Sequence, residues 1–246
     1  MSLLSKYIHI GTAGWAIPRA VTGFFAEQGT GLQRYAGRFD IVEINSTFHR
    51  PHRRSTYERW AASVPDDFRF ALKLPKKVSH ELRLEGTRPE LETFLPDIMA
   101  LGEKLGVLLL QLPPSFAFDA IVARDFFTLL RSMSNIPCVC EPRHPTWFKN
   151  EAHGVLLEHK ISRAAADPAR VKNAAEPAGW PGLRYFRLHG SPRMYYSAYD
   201  TEYLERLKKR LHASPVDTWC IFDNTASGAA CANALELVAL GPRLPT

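Results

Sequence analysis

Apolar runs of strand length recur eight times along the chain, at residues 7–10, 41–45, 69–74, 106–112, 138–141, 161–166, 185–189 and 218–223. Between most of them lie amphipathic stretches of helix length, over residues 20–37, 54–63, 89–104, 119–133, 148–159, 200–211 and 226–239. This alternation predicts a parallel sheet, because parallel neighbours need a crossover and a helix is the usual one. The punctuation agrees: Asp119 and Asp200 stand where N-caps belong, and Gly102 and Gly106 fall near the expected end of the third helix. The sixth crossover differs, since residues 167–182 hold three prolines and two glycines, which predicts a short or irregular helix. Eight strand–helix units fill the length with no linker or repeat, so the expected fold is a single (β/α)8 TIM-like barrel, with residues 1–246 as one domain.

Composition narrows the classes without choosing a function. With 46% hydrophobic and 23% charged residues the chain is neither disordered nor fibrous. Four cysteines form no disulfide framework and no C-x-x-C metal knuckle, which implies a reducing, cytoplasmic setting. The start MSLLSKYIHIGT lacks a long apolar segment and no window is apolar enough to span a bilayer, so neither export nor membrane insertion is expected. Thirty-one Lys and Arg against 25 Asp and Glu give a formal charge of +6, which favours anionic partners by long-range attraction.

In a barrel the chemistry sits at the C-terminal ends of the strands, and polar residues cluster where these apolar runs stop. The first run ends in Gly11-Thr12-Ala13-Gly14-Trp15, the second in Glu43, Asn45 and His49, the third in Lys73 and the fourth in Gln111. The others end in Glu141, Arg143 and His144, in Asp167, in Arg187 and His189, and in Asp223 and Asn224. Glu43 with Asn45, Glu141 with Arg143, and Arg187 with His189 are i,i+2 pairs, so each pair shares one strand face, which in a barrel is the lumen. For any one of these residues the alternative is a solvated or ion-paired loop role, and Glu141 with Arg143 is readable as a bridge bracing its own loop. The glycine turn at 11–14 resembles a phosphate cradle, but its spacing matches neither the dinucleotide fingerprint nor the Walker loop. Trp15 beside it is a stacking surface or a rim packing residue. His49-Arg50-Pro51-His52-Arg53-Arg54, with Lys73, Lys76, Lys77 and His80, makes this side basic, and Lys73 is either an anion contact or, if desolvated, a Schiff-base amine. Cys140-Glu-Pro-Arg-His-Pro-Thr-Trp147 crowds an acid, a guanidinium, an imidazole and an indole into one strand end. No H-E-x-x-H, dinucleotide, iron–sulfur or haem motif is present, so no cofactor is evident and a divalent metal has no specific motif behind it.

Taken together and in order, GTAGW, FDIVEINSTFHR, FALKLPKKVSH, KLGVLLLQLPPSF, CEPRHPTWF, YFRLHG and FDNTASGAACANAL resemble the YecE-like family, domain of unknown function 72, over nearly the whole length. The resemblance implies a one-domain TIM-like barrel and supplies no established reaction. The matching positions are Gly11, Gly14, Trp15, Glu43, Asn45, Lys73, His80, Gln111, Arg143, His144, Trp147, Arg187, His189, Gly190 and Asn224. This chain departs from the family pattern at Ala16-Ile17-Pro18-Arg19 and at Cys140-Glu-Pro.

Three functions are carried forward. The first is a hydrolase or phosphodiesterase-like enzyme acting on an anionic, phosphate-bearing substrate, a small molecule or a nucleic acid, at the barrel mouth. In it Glu43, Glu141, His144, His189 and Asp223 are the acid–base candidates, with Gly11, Gly14, Trp15, Asn45, Lys73, His80, Gln111, Arg143, Trp147, Arg187 and Asn224 around the substrate. The second is a carboxylate-based glycosidase or isomerase, for which the carboxyl separation is diagnostic. The third is a non-catalytic nucleic-acid-binding protein, whose affinity would fall steeply with salt.

Overall fold

The computed structural model describes residues 8–213 and 215–240. Tyr7, the first residue of the first expected strand, lies outside them. Ten strands form one sheet: β1 (Ile8–Ala13), β2 (Ile41–Ile44), β3 (Arg69–Lys73), β4 (Leu105–Gln111), β5 (Cys138–Glu141), β6 (Ile161–Arg163), β7 (Ala165–Asp167), β8 (Ala178–Gly179), β9 (Arg184–Leu188) and β10 (Thr218–Phe222). Their spatial order is β7-β9-β10-β1-β2-β3-β4-β5-β6-β8, and every pairing except β6 with β8 is parallel.

The count of ten corrects the expected eight, and the reason lies in the sixth apolar run. Its first half pairs with β5 and its second half with β9, so one stretch of chain is scored as β6 and β7. Alternation is unbroken across the join, with Ile161 and Ala165 in the outer core and Ala164 in the lumen, and the Ala164 amide donates to the Cys140 carbonyl. The ring is thereby closed by a strand that changes neighbours. The extra strand, β8, is a two-residue antiparallel return within the proline-rich crossover, which otherwise holds only one 3-10 turn at Lys172–Ala175, as its composition implied.

Seven α-helices lie among the described residues: α1 (Gly31–Ala36), α2 (Arg54–Ala62), α3 (Arg88–Ile98), α4 (Ala120–Met133), α5 (Asn150–Glu158), α6 (Thr201–Leu211) and α7 (Ala229–Ala239). The helix expected over 20–37 is two pieces, a 3-10 turn at Arg19–Phe24 and α1. Gly29 at φ +101 ends one path and Thr30 starts the next with a capping box to Gln33. The stretch 89–104 likewise turns from α into 3-10 geometry after Ile98 and breaks at Gly102, whose φ is +56. Asp119 caps α4 by accepting from the Ile121 and Val122 amides, and Asp200 caps α6 by accepting from Tyr203. No described helix is long and apolar enough to cross a membrane.

Strand parity divides the apolar side chains between two cores. The larger lies between sheet and helices; the smaller fills the lumen with Ile41, Ala71, Val107, Leu109, Val139, Ala164, Leu183, Tyr185, Trp219 and Ile221. Toward the N-terminal ends of the strands Trp219 stacks on Tyr185 with centroids 6.1 Å apart and presses on Gly106, where a Cβ would stand 2.6 Å from the indole. Above this plug the same parity delivers charged residues.

Candidate functional site

The lumenal face that carries Ile41, Val139, Tyr185 and Ile221 continues toward the mouth as Glu43, Glu141, Arg187, His189 and Asp223, all of them buried. Arg187 is fully enclosed. Its Nε and one terminal nitrogen form a fork on Glu43 at 3.0 and 2.6 Å, the same nitrogen reaches Asp223 at 2.9 Å, and the other nitrogen donates to Glu141. His189 lies between two carboxylates, with Nδ1 2.9 Å from Asp223 and Nε2 3.1 Å from Glu141. Each carboxylate oxygen accepts, so both ring nitrogens must donate and the ring is an imidazolium. Burial alone would lower its pKa, but the Glu141 charge and the hydrogen bonds the ring donates to Asp223 and Glu141 raise it.

Every carboxylate oxygen in the group has a partner. Glu43 Oε2 also accepts from the Tyr185 hydroxyl at 2.9 Å, Glu141 Oε1 from Arg143 Nε at 3.2 Å, and Asp223 Oδ1 from Asn45 at 3.4 Å. Burial opposes the ionised form of Glu141, yet Arg187, His189 and Arg143 hold its pKa well below the ordinary carboxylate range. Asp223 is lowered in the same way by Arg187 and His189. The same carboxylates outweigh burial at Arg187 and hold its guanidinium ionised. The position that a metal ion would take between these acids is filled by a guanidinium and an imidazolium.

Lys73 stands apart from this pairing. It is 9% exposed, its side chain makes no ion pair or hydrogen bond among the described residues, and its Nζ sits 4.2 Å above the centre of the Phe48 ring. Burial, and then the Arg187 charge, lower its pKa to about 8 against a smaller opposing pull from Glu43, Glu141 and Asp223. His80 packs edge-on to the same Phe48 ring at 4.9 Å and bonds Ser79 Oγ at 2.8 Å. Burial, with Lys73, Arg143 and Lys76 nearby, lowers the His80 pKa and keeps its ring neutral.

A cleft of about 10 Å³, room for a single water, lies against the group between Pro142, Arg143, Pro168, Arg170 and Met194, with Glu141 and His189 on its floor. Arg143 is half-buried on its wall, one side on Glu141 and the other 3.3 Å from the Tyr195 hydroxyl.

Several expected contacts fall elsewhere. Arg187 spends four of its five N–H groups on carboxylates, which removes it as an anion clamp. Trp147 is wholly buried, with Nε1 donating to Phe116, and offers a ligand no surface. His144 Nδ1 accepts from the Thr146 amide, capping the turn Pro145–Phe148 rather than joining the charged group. Asn224 donates to Ser197 and Asn233, which anchors the loop after β9 to α7. Gly11 is demanded by packing, since a Cβ there would stand 2.1 Å from the Ile41 carbonyl oxygen, and the Gly14 amide is spent on the Glu43 carbonyl at 2.8 Å, so this turn is no phosphate cradle. Trp15 packs edge-on against Trp60 at 5.0 Å, and Gln111 is buried beside Glu141 in the β4–β5 register. Sequence reasoning missed Tyr185, Phe48 and Tyr195. Tyr185 shares the parity of Arg187, which was signal enough, whereas Tyr195 comes from an irregular loop and has no such mark.

A family model described as a protein of unknown function, DUF72, matches residues 9–243. UPF0759 protein YecE of Escherichia coli strain K12 is 30% identical over 179 residues, which is 69% of this chain and 62% of the relative. The chain thus spans under two thirds of that relative's length. UPF0759 protein YunF of Bacillus subtilis strain 168 is 22% identical, with 95% of this chain and 94% of the relative aligned. Among solved structures, a DUF72 family protein from Enterococcus faecalis V583 has a TM-score of 0.80 at 20% identity, covering 97% of this chain and 100% of the other. Another from Thermotoga maritima MSB8 has a TM-score of 0.77 at 25% identity, covering 95% and 98%.

Proposed function

Because the chain belongs to the DUF72 family, whose description states no activity, we propose from its own residues that it is an enzyme acting on an anionic, phosphate-bearing substrate at the barrel mouth. The observation that carries this reading is the buried group at the strand ends: three carboxyl groups held by Arg187 and His189, beside Lys73, whose Nζ has no polar partner among the described residues. Arg187, His189, Arg143 and Lys73 face the carboxylates of Glu43, Glu141 and Asp223, and Arg170 stands on the cleft wall, so basic groups outnumber acids here and an anion would offset the excess. Arg143 and Lys73 are the cations placed to meet it, and they replace Arg187 in that role.

The acid–base chemistry follows from who holds the protons. His189 carries the protons nearest the cleft, and one of them reaches a leaving oxygen when a bound substrate displaces Glu141 or Asp223 from its ring nitrogen, with water returning the proton afterwards. Hydrolysis of an ester or phosphodiester needs such an acid and a held anion. A glycosidase of the paired-carboxylate type needs one carboxylate free to attack or to activate water, and here all three are engaged, which makes that reading the weaker one.

The test is a thermal-shift panel of nucleotides, sugar phosphates, short oligonucleotides and neutral sugars, with and without divalent metal, at two salt concentrations. Expected is stabilisation by one small phosphorylated class, lost in Arg143→Ala. Stabilisation by oligonucleotides alone, vanishing with salt, would instead favour a binding protein. A response to neutral sugars alone would sink the anion argument.

A further inference from the structure

Beyond holding an anion, Lys73 has the surroundings of an amine nucleophile. We propose that its Nζ condenses with the carbonyl carbon of an aldehyde- or ketone-bearing substrate to form an imine at the barrel mouth. The geometry is the ground for it. Lys73 is the last residue of β3 and shares the lumenal parity of Ala71, so its side chain rises among the strand ends. Its backbone carbonyl is held 2.7 Å from the Thr47 hydroxyl, and the turn Ser46–Phe48 brings the Phe48 ring under the amine. Neutral His80 closes the other side of that ring from the π turn Lys77–Glu81, a helix type that concentrates at functional sites.

Lysine in a salt bridge is a poor nucleophile, because its lone pair carries a proton. Here three carboxylates lie in the same lumen, and each has been claimed by Arg187, His189, Arg143, Asn45 or Tyr185. The fold thus surrounds Lys73 with acids and leaves it without one. Nor is the amine sealed in, for the residue keeps 9% of its surface exposed and the half-exposed Phe48 and His80 lie beside it. Desolvation beside Arg187 makes the unprotonated amine available near neutral pH, with the charges of Arg187, Glu43, Glu141 and Asp223 and the ring of His80 facing it.

The chemistry balances with no added oxidant or reductant. The nitrogen lone pair forms the C–N bond while the carbonyl π pair moves to oxygen, which takes a proton. The nitrogen then gives up one proton and keeps the other, the carbinolamine hydroxyl takes a second proton and departs as water, and the nitrogen lone pair closes the C=N bond. The resulting iminium keeps one positive charge and sits in the negative field of the three acids. This inference rests on the mouth being the ligand site, but it does not require hydrolysis.

The probes are glyceraldehyde 3-phosphate and glyceraldehyde, each with cyanoborohydride at pH 7.5, followed by peptide mapping of the whole protein. Expected is an adduct on Lys73 in about tenfold or greater excess over exposed Lys76 and Lys77, with trapping that rises to half its maximum near pH 8. Lys73→Arg keeps the charge and removes the nucleophile. It should abolish that adduct, read by the same peptide mapping on a variant whose far-UV circular dichroism matches that of the wild type. Wild-type protein labelled first on Lys76 and Lys77 would overturn the proposal, and that comparison needs no variant to fold. Equal trapping of both probes on Lys73 would uphold the nucleophile and count against the phosphate-bearing substrate, so the two readings fail separately.

Discussion

Arg187 makes four hydrogen bonds to three carboxylates in a space closed to solvent, so removing it strands acids rather than loosening a loop. Arg187→Met should cost about 3–5 kcal/mol in urea denaturation, the scale seen when one partner of a buried ion pair is lost. Arg143→Ala, at the rim, should cost about 1 kcal/mol or less and act on ligand binding instead. A cost for Arg187→Met no larger than for Arg143→Ala would show that the group is not the rigid floor described. Gly106 makes a second demand on a single position. Gly106→Ala would drive a Cβ into the Trp219 ring, itself backed by Tyr185, and should lower stability by about 1–3 kcal/mol by overpacking.

Among the elements, β1, β2 and β10 are tied at their N-terminal ends by His9, whose ring bridges Asp40 at 2.5 Å and Asp217 at 3.1 Å. Burial opposes protonation of His9, but the hydrogen bonds and charges of Asp217 and Asp40 win and push its pKa up to about 9. A folded pKa above the unfolded one means that the contribution is complete below about pH 6.5 and is lost as pH rises through 9. Lys73 has the opposite sign, with stability gained from about pH 8 upward, so the measurement is a difference: wild type minus His9→Gln should be largest in mild acid and vanish above pH 9. Helix ends give a simpler test, since Asp119→Ala removes two capping bonds from α4 and should cost about 0.5–2 kcal/mol. These caps were legible because Asp before an apolar period has a local cause. The break in residues 20–37 was also local, at Gly29-Thr30, but amphipathic periodicity on both sides hid it. The split of the sixth strand was not legible, because which neighbour a strand pairs with depends on the closure of the whole ring.

Across the molecule, the strand-end rule located the charged group and i,i+2 parity put Glu43, Glu141, Arg187 and His189 on one face, so the place of that group was readable. Its internal pairing was not, because a sequence does not say which acid a guanidinium will choose; Arg187 reads as a clamp and is a strut. Trp147, His144 and Asn224 look the same in sequence whether they meet a ligand or brace a loop. The switch of partners at Ala164 leaves residues 165–167 held on one side by β9 and by no helix of their own crossover, so amide exchange should be faster there than in β2 or β3. The plug of Trp219 and Tyr185 has a consequence for traffic. Water cannot reach the charged floor from below, so the lumen works as a diving bell with one opening. Whatever settles over that opening shuts the protons of His189 and its acids in with it, and the count present at the moment of closing stays fixed until it leaves.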